Sequence, residues 1–319
     1  MAGNHVQRVI EEINAAGLAV DRPLVVAGEN IDSGSRIGGM ARGLELKATD
    51  CIMNVGNCEL THCGIGFGMM LDGSHFSLFM KQLDFLFLGL DQLVNTFQFI
   101  RAHREPELLG GFTIYLVVCD QGHQGAQSSF NALGDVASLT RLPVFCLNAV
   151  ADVEEVVQRE FFGTGVRIVA ISQRQFGMDP LEMGLVDRSE NLANFQYRSG
   201  EDVTVVSCNF ALRQATTVVD ELAGAGVTAD LFHRNFVPSA DWNPIRRSAK
   251  QTGRLLVLDD SRSYLKTADA LLSEIAQESV DVRSRIFSRR DLCSADFGVT
   301  ADLFDVQDEA VAWVLGGLR

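Results

Sequence analysis

Short apolar runs alternate with helical segments along nearly the whole chain, and this alternation restricts the possible folds more than any other feature. Glycine, proline or polar residues separate consecutive segments. Strands that alternate with helices are typical of α/β folds with mostly parallel sheets. In the first half of the chain, the predicted strands are residues 23–27, 51–55, 76–80, 112–119, 143–147 and 166–171, and the predicted helices are residues 59–71, 84–101 and 151–162.

The periodicity fades between residues 173 and 202, a polar and irregular stretch that we interpret as a linker. A second α/β unit follows it. Its predicted strands are residues 203–208, 229–232 and 255–258, with helices over 211–223 and from about residues 241 and 264. A length of 319 residues suits two domains of ordinary size. We therefore expect one domain over residues 1–185 and a second over residues 186–319.

Charge and apolar content restrict the classes of protein to which the chain can belong. The formal net charge of −14 argues against a nucleic-acid-binding protein. The sequence has neither an 18-residue apolar run nor a secretory signal, so we expect no membrane association. The seven cysteines are an odd number, and Cys119 and Cys146 lie inside apolar strands. This usage is typical of reduced thiols and predicts a cytoplasmic protein.

The sequence lacks the common motifs for binding zinc, phosphates or dinucleotides and for a nucleophilic serine. Cys51, Cys58 and Cys63 lie near His62, but their spacing matches no zinc pattern, so we expect no metal site here. Neither a phosphate-binding P-loop nor a Gly-x-Ser-x-Gly elbow occurs. The glycines of Gly64-Ile-Gly66-Phe-Gly68 lie within a predicted helix instead of at a strand-to-helix turn. They therefore do not form a dinucleotide fingerprint.

Gly64 and Gly68 lie on one face of that helix, where they would let another helix approach closely. Each glycine costs about 1 kcal/mol relative to alanine, so a compensating contact is expected. Both a second subunit and this chain itself could supply it. Glu59 lies in the first turn, two residues after a possible N-cap at Asn57. On these grounds alone, Glu59 is either a favourable charge at a helix N-terminus or a functional carboxylate.

Three motifs resemble a known family when they are taken in order. They are Gly28-Glu29-Asn30 after a strand, Cys58-Glu59 followed by Gly64, Gly68 and Gly73, and Phe85 before Asp91-Gln92. Together with residues 201–260, they resemble the beta subunit of thiamine-diphosphate-dependent 2-oxoacid dehydrogenases of the pyruvate dehydrogenase type, and the C-terminal half of transketolases. The resemblance covers roughly residues 20–290. It implies a pyrimidine-binding-type doubly wound parallel sheet domain followed by a transketolase C-terminal-type α/β domain.

The resemblance also implies a site. Glu59 matches the family's glutamate that hydrogen-bonds a ring nitrogen of the cofactor's aminopyrimidine, which leads to removal of the thiazolium C2 proton. By the same analogy, Phe85 stacks on the pyrimidine and Glu29 belongs to the cofactor-binding residues. The alternative is that Phe85 is one more aromatic residue of an apolar helix face.

Two departures from the family qualify this expectation. No Gly-Asp-Gly motif occurs, so Mg²⁺ and the diphosphate are expected on an alpha-type partner chain, with two alpha and two beta chains in the assembly. The family's loop histidine aligns with Ala126 or Gln127, a few residues after His123. Three interpretations stay open: His123 replaces the family histidine, the histidine function is lost, or His123 is an ordinary loop residue.

The leading hypothesis is a subunit that forms a cofactor-bound two-carbon or acyl carbanion from a ketose phosphate or a 2-oxoacid. The acceptor of this unit could be a lipoyl or acyl carrier-protein thiol in a specialised biosynthetic pathway. One alternative is a conventional pyruvate or acetoin dehydrogenase beta subunit. Another is a non-catalytic scaffold or regulatory partner of an alpha chain. A flavin- or nucleotide-binding protein is disfavoured because no phosphate loop is present.

Overall fold

A computed structural model describes residues 4–121, 128–238, 242–278, 281–289 and 304–317. A parallel sheet forms the first domain, with the order β2-β1-β3-β4-β6-β5. Every predicted strand of this domain is present. The strands are β1 (Leu24–Gly28), β2 (Cys51–Asn54), β3 (His75–Met80), β4 (Gly111–Val118), β5 (Val144–Cys146) and β6 (Gly165–Ser172).

Helices cover both faces of the first sheet, as in a doubly wound fold. Alternate residues of β4 point to opposite faces: Ile114 packs with one hydrophobic cluster and Tyr115 with the other. The helices are α1 (His5–Ala19), α2 (Glu59–Leu71), α3 (Leu83–Leu86), α4 (Phe97–His103), α5 (Leu133–Thr140) and α6 (Val150–Val156). Helices α1 and α6 lie on the Tyr115 face, and α2 to α5 lie on the Ile114 face.

The second domain is built on a mixed sheet with the order β12-β11-β9-β10-β8-β7. Strands β9 to β12 are parallel, whereas β8 is antiparallel to β10 and β7 is antiparallel to β8. The strands are β7 (Asp187–Arg188), β8 (Asn194–Arg198), β9 (Val203–Cys208), β10 (Ala229–Arg234), β11 (Arg254–Asp259) and β12 (Arg283–Ser288). The helices are α7 (Leu212–Gly224), α8 (Asn243–Thr252), α9 (Asp269–Gln277) and α10 (Gln307–Leu315).

The expected linker was wrong in its second half. Residues 187–198 form β7 and β8, the antiparallel edge of the second sheet, although the domain boundary after residue 185 stays a prediction. Phe195 and Tyr197 are buried while Gln196 and Arg198 are more exposed, which is the period of two of a half-buried strand. Polar neighbours on both sides concealed this short alternation.

The expected helix over residues 84–101 is interrupted. It consists of α3, a 3₁₀ turn at Phe87–Gly89, a π-helical turn at Gln92–Thr96, and α4. Likewise, the expected helix over residues 151–162 is α6 followed by a π-helical turn at Val157–Phe161. Apolar periodicity predicts which face a segment buries, but it does not reveal where neighbouring elements force a change of helical pitch.

The two domains share core and backbone contacts. Val144 of β5 and Phe236, after β10, exchange two backbone hydrogen bonds of 2.9 and 3.0 Å. One hydrophobic cluster runs from the first sheet to α7 and α10. Among the described residues, no helix is long and apolar enough to span a membrane.

Candidate active site

A cleft opens at the carboxyl ends of β1 and β3, the two adjacent strands from which the chain turns to opposite sides of the first sheet. After β1 the chain continues to β2 on one side, and β3 then returns to the other side. Ligands of open α/β sheets bind at such a switch point, because the connections diverge there and leave a crevice. The cleft encloses a cavity of about 20 Å³ and is lined by Gly28, Glu29, Val55, Glu59, His62, Leu78, Phe79, Met80, Lys81 and Phe85.

Glu59 is the first residue of α2 and is 6% exposed in this cleft. The N-cap is Cys58, not Asn57 as expected, and its side chain makes no capping hydrogen bond. Buried carboxylates are normally paired with donors or cations. No hydrogen bond or ion pair to the Glu59 carboxylate occurs within the described part of the chain. The unpaired acid therefore faces the cleft and is available to a ligand.

The charge of Glu59 acts on the neighbouring thiol. Burial, reinforced by the Glu59 carboxylate, raises the pKa of Cys63 to about 12. Cys63 is completely buried in the core and stays a neutral thiol at physiological pH. Cys51 and Cys58 are exposed, whereas Cys63 is enclosed. The described residues contain no cluster of histidine, cysteine and acidic side chains that could hold a metal ion.

Phe85 belongs to α3 and lines the same cleft as Glu59. The segment that carries it packs tightly on the first turn of α2 at Gly89. A β-carbon on Gly89 would lie 2.6 Å from Cys63 Sγ and 3.1 Å from the Glu59 carbonyl oxygen. Glycine at position 89 therefore allows the aromatic segment and the carboxylate to border one cleft.

Glu29 follows β1 directly and forms another part of the cleft wall. The strand end before it is equally crowded: a β-carbon on Gly28 would lie 2.8 Å from the Phe79 carbonyl oxygen and would clash with Ile37. Asn30 takes a left-handed conformation with φ of 51°, which turns the chain away from the sheet. The sheet thus brings together Glu29, Glu59 and Phe85, although 56 residues separate the first from the last.

His62 and Lys81 also line the cleft, although neither belongs to the sequence motifs that predict cofactor binding. His62 is 6% exposed and lies one helical turn after Glu59. The i, i+3 spacing that places both on one face of α2 could have revealed it. Lys81 is the residue after β3, a position that becomes informative only once β3 is known to adjoin β1.

The glycines of α2 separate into two groups. Gly66 faces the sheet, and a β-carbon there would lie 2.6 Å from the Phe112 ring. Gly64 and Gly68 are exposed, and no atom lies within 4 Å of a β-carbon built on either. Of the two contacts left open for Gly64 and Gly68, packing within the chain is therefore wrong for the described residues. Their shared face is free to receive another molecule.

A buried polar network lies further along the same sheet edge, at the ends of β4 and β6, and joins the two domains. Asp120, which follows β4, accepts hydrogen bonds of 2.7 Å from Ser172 and contacts Arg174 at 2.7 Å. Arg174 also pairs with Asp260, which follows β11. Arg289 donates to the Asp120 carbonyl oxygen at 3.0 Å. Burial raises the pKa of Asp120, and the Arg174 charge opposes that rise.

Asp120 begins the loop on which His123 was singled out. His123 itself lies outside the described residues, so its role stays a prediction. Asp120 is nonetheless fixed by groups from both domains, and the start of that loop is held by Arg174 and Arg289.

Comparisons with known proteins match this architecture. Residues 193–297 match the family model of the transketolase C-terminal domain. The chain is 20% identical over 290 residues to the acetoin:2,6-dichlorophenolindophenol oxidoreductase subunit beta of Cupriavidus necator, covering 86% of this chain and 84% of that protein. It is 28% identical over 103 residues to the 6-deoxy-6-sulfo-D-fructose transketolase subunit SqwH of Clostridium sp., covering 32% of this chain and 31% of that protein.

Solved structures extend the match over the whole chain. A split-gene transketolase, described as an inactive beta4 tetramer, superposes with a TM-score of 0.63 at 16% identity, covering 97% of this chain and 99% of that one. Transketolase from Campylobacter jejuni superposes with a TM-score of 0.63 at 10% identity, covering 99% of this chain but 47% of the longer chain.

The chain resembles the C-terminal half of transketolase. The predicted resemblance to the beta subunits of thiamine-diphosphate enzymes is confirmed, and so is the predicted fold, a pyrimidine-binding-type parallel sheet domain followed by a transketolase C-terminal-type α/β domain. The chain covers 47% of the Campylobacter jejuni transketolase chain, which is about half of its length.

Proposed function

We propose that this transketolase-like chain is the beta-type subunit of a thiamine-diphosphate enzyme and that Glu59 is its proton-transferring residue. The observation that carries the proposal is an unpaired carboxylate, 6% exposed, in a cleft at the topological switch point. Such a group suits a nitrogen heterocycle that can share a proton with it. The cleft also offers an aromatic ring, Phe85, for stacking, and Glu29 as a second polar contact.

These residues fit the aminopyrimidine half of the cofactor. Thiamine diphosphate, when bound, supplies the carbon nucleophile that cleaves a bond next to a substrate carbonyl. Glu59 holds a proton shared with a pyrimidine ring nitrogen, while Phe85 and the apolar side chains Leu78 and Met80 exclude water. His62 and Lys81 border the same space and are available to orient polar groups of the ligand.

The diphosphate and Mg²⁺ are assigned to an alpha-type partner, because no Gly-Asp-Gly motif is present in this chain. The relative named as a split-gene transketolase is described as inactive when it is a beta4 tetramer, which supports this division of labour. The exposed face of α2 around Gly64 and Gly68 suits a close helix contact with that partner. Two alpha and two beta chains are the proposed assembly.

Two kinds of reaction have support from relatives. Transfer of a two-carbon ketol unit from a ketose phosphate or sulfonate fits the Clostridium transketolase subunit. Cleavage of acetoin or a 2-oxoacid, with transfer of the acyl unit to an acceptor, fits the Cupriavidus subunit. A lipoyl or acyl carrier-protein thiol as acceptor, in a specialised biosynthetic pathway, is the more specific form of the second proposal.

Glu59→Gln tests the proposal in a complex reconstituted with an adjacent-gene chain that carries Gly-Asp-Gly. We expect turnover to fall by about 10²- to 10⁴-fold, the usual contribution of a general acid or base. Cofactor binding, followed by calorimetry, should persist because Phe85 and the partner remain. Glu221→Gln, at an exposed position of α7, is the matched control.

The substrates in this assay are acetoin and pyruvate with 2,6-dichlorophenolindophenol, and ketose phosphates with an aldose acceptor. Turnover with one set identifies the reaction class. If Glu59→Gln and Glu221→Gln turn over equally well, Glu59 is only a favourable residue at a helix start. The chain would then be a scaffold for its partner.

A further inference from the structure

A second polar pocket lies between the two domains and is lined by Arg174. The start of α1, the residues after β6 and the first turn of α7 meet there. Its cavity volume is about 30 Å³, room for a few water molecules or a small ion. Its polar lining includes His5, Asn148, Arg174, Gln175, Arg213 and Gln214, together with Ser172. None of these residues borders the cleft of Glu59.

His5 is the most informative of these residues. Its side chain is 1% exposed, and neither ring nitrogen makes a hydrogen bond of standard geometry with a described residue. Burial and the Arg213 charge lower the pKa of His5 to about 4, and a backbone hydrogen-bonding contact with Leu147 opposes this shift. A neutral imidazole offers one donor and one acceptor. Buried groups of this kind are nearly always satisfied, so the pocket calls for a polar occupant.

Positive charge surrounds the same space. Arg213 donates to the Asp179 carbonyl oxygen at 2.7 Å, and the nearby Arg174 charge contributes to a lowered pKa of Arg213, which burial dominates. Arg174 uses Nε and Nη2 for the buried acids, and its Nη1 makes no hydrogen bond with any described residue. No described residue that lines the pocket is acidic. Two guanidinium groups therefore line it, although Arg174 also pairs with Asp120 and Asp260, and the Asp179 charge opposes the lowering of the Arg213 pKa.

The first turn of α7 adds backbone donors. This helix has 13 residues, and its N-cap, Ala211, provides no side-chain hydrogen bond. Unsatisfied amide groups and the positive end of the helix dipole favour an anion at such a terminus. Gln214 lies in this turn, and its Oε1 is enclosed without a partner. A half-turn of the amide would place its NH₂ group at the same point.

We propose that this pocket binds a small oxyanion, the carboxylate or phosphate group of a low-molecular-weight metabolite. His5, Arg213 and the first turn of α7 contact the anion, and Gln214 donates to it through its amide. Arg174 contacts both the pocket and Asp120, the residue at the start of the His123 loop. The inference does not depend on the proposed function, since it requires neither thiamine diphosphate nor a partner chain.

The experiment is a titration of the full chain with inorganic phosphate and, separately, with acetate, at constant ionic strength. Binding is followed by calorimetry and by the NMR signals of the His5 ring. We expect saturable binding of at least one anion with a shift of the His5 signals. Arg213→Gln and Gln214→Glu should each weaken binding at least tenfold, because one removes a cation and the other adds an anion.

Arg198→Gln is the matched control, since it removes one positive charge from an exposed ion pair elsewhere in the second domain. It should bind the anion like the unmodified chain. Binding of phosphate alone, acetate alone or both supports the proposal and identifies the head group. The proposal is overturned if the unmodified chain binds neither anion saturably, or if Arg213→Gln and Gln214→Glu bind as tightly as Arg198→Gln.

Discussion

The carboxyl edges of the two sheets both carry buried acids, but their surroundings differ. At the edge of the first sheet, Glu59 faces a cleft and has no hydrogen bond or ion pair among the described residues. At the edge of the second sheet, Asp260 accepts from Asn209 Nδ2 at 2.8 Å and from the Phe210 amide at 3.0 Å, and it pairs with Arg174. Both residues are largely or fully buried.

This difference indicates that the Glu59 carboxylate serves to bind a ligand, whereas the Asp260 carboxylate serves to stabilise the fold. Burying a charge without partners costs free energy, so an unpaired carboxylate persists only where something else offsets that cost. Asp260 is compensated within the chain and joins the domains. Glu59 is compensated, in the proposed function, by the cofactor. Mutations at the paired acids and at the Glu59 cleft are therefore expected to have different effects.

The largest expected effect on stability comes from the network in which Arg174 pairs with Asp120 and Asp260. Arg174→Gln removes the cation that Asp120 and Asp260 share and leaves only the more distant Arg289, 3.8 Å from Asp260, beside two carboxylates with side-chain exposures of 0%. Removal of one partner from a buried ion pair costs about 3–5 kcal/mol of unfolding free energy. Urea denaturation monitored by circular dichroism measures this loss.

Arg198→Gln is again the control, because Arg198 and Asp220 are 43% and 56% exposed. An exposed pair contributes about 0–1 kcal/mol. Equal losses for Arg174→Gln and Arg198→Gln would show that the network does not hold the domains together.

An intermediate effect on stability is expected at Gly89, where close packing shapes the Glu59 cleft. Gly89→Ala places a methyl group 2.6 Å from Cys63 Sγ and 3.1 Å from the Glu59 carbonyl oxygen. Overpacking of this kind costs about 1–3 kcal/mol, and here it should also separate the Phe85 segment from α2. We expect weaker cofactor binding in the reconstituted complex together with a lower urea midpoint.

The control for Gly89→Ala is Gly64→Ala in the isolated chain, since no atom lies within 4 Å of a β-carbon there. That variant should be as stable as the parent or up to about 1 kcal/mol more stable. An unchanged midpoint and unchanged cofactor binding in Gly89→Ala would mean that the close approach at position 89 does not shape the cleft.

The smallest effect on stability is expected at the unpaired acid itself. Glu59→Gln removes a favourable interaction with the α2 dipole, worth a few tenths of a kcal/mol, and also removes a buried charge. These changes oppose each other, so the unfolding free energy of the isolated chain should stay within about 0.5 kcal/mol of the parent. A loss above about 2 kcal/mol in urea denaturation would instead place Glu59 with Asp260, as a structural acid.

Much of the architecture follows from local pattern. Apolar runs predicted all six strands of the first sheet to within about two residues. Strands β3, β4 and β6 are buried on both faces and leave a strong signal, whereas β2 is an exposed edge strand with a weaker one. The helix over Glu59–Leu71 was predicted with its observed bounds. Strands β7 and β8 were missed, since they lie at an edge and have only a short alternation.

The site was predictable only in part. Glu59, Glu29 and Phe85 were named from motifs of a family that the chain resembles, and the structure places all three around one cleft. His62 and Lys81 were not assigned to it, and the network around Arg174 was not anticipated. That network joins Asp120 to Asp260, acids 140 positions apart, and no local pattern links them.

The sequence by itself determined which segments form strands and helices, the order of the two domains and the candidate carboxylate. These properties depend on residue type and on spacing over a few positions, and such information is present locally in the chain. Only the tertiary structure decided which acids are neutralised and which stay free. Pairing depends on distances of a few ångströms between groups far apart in sequence, and sheet order sets those distances.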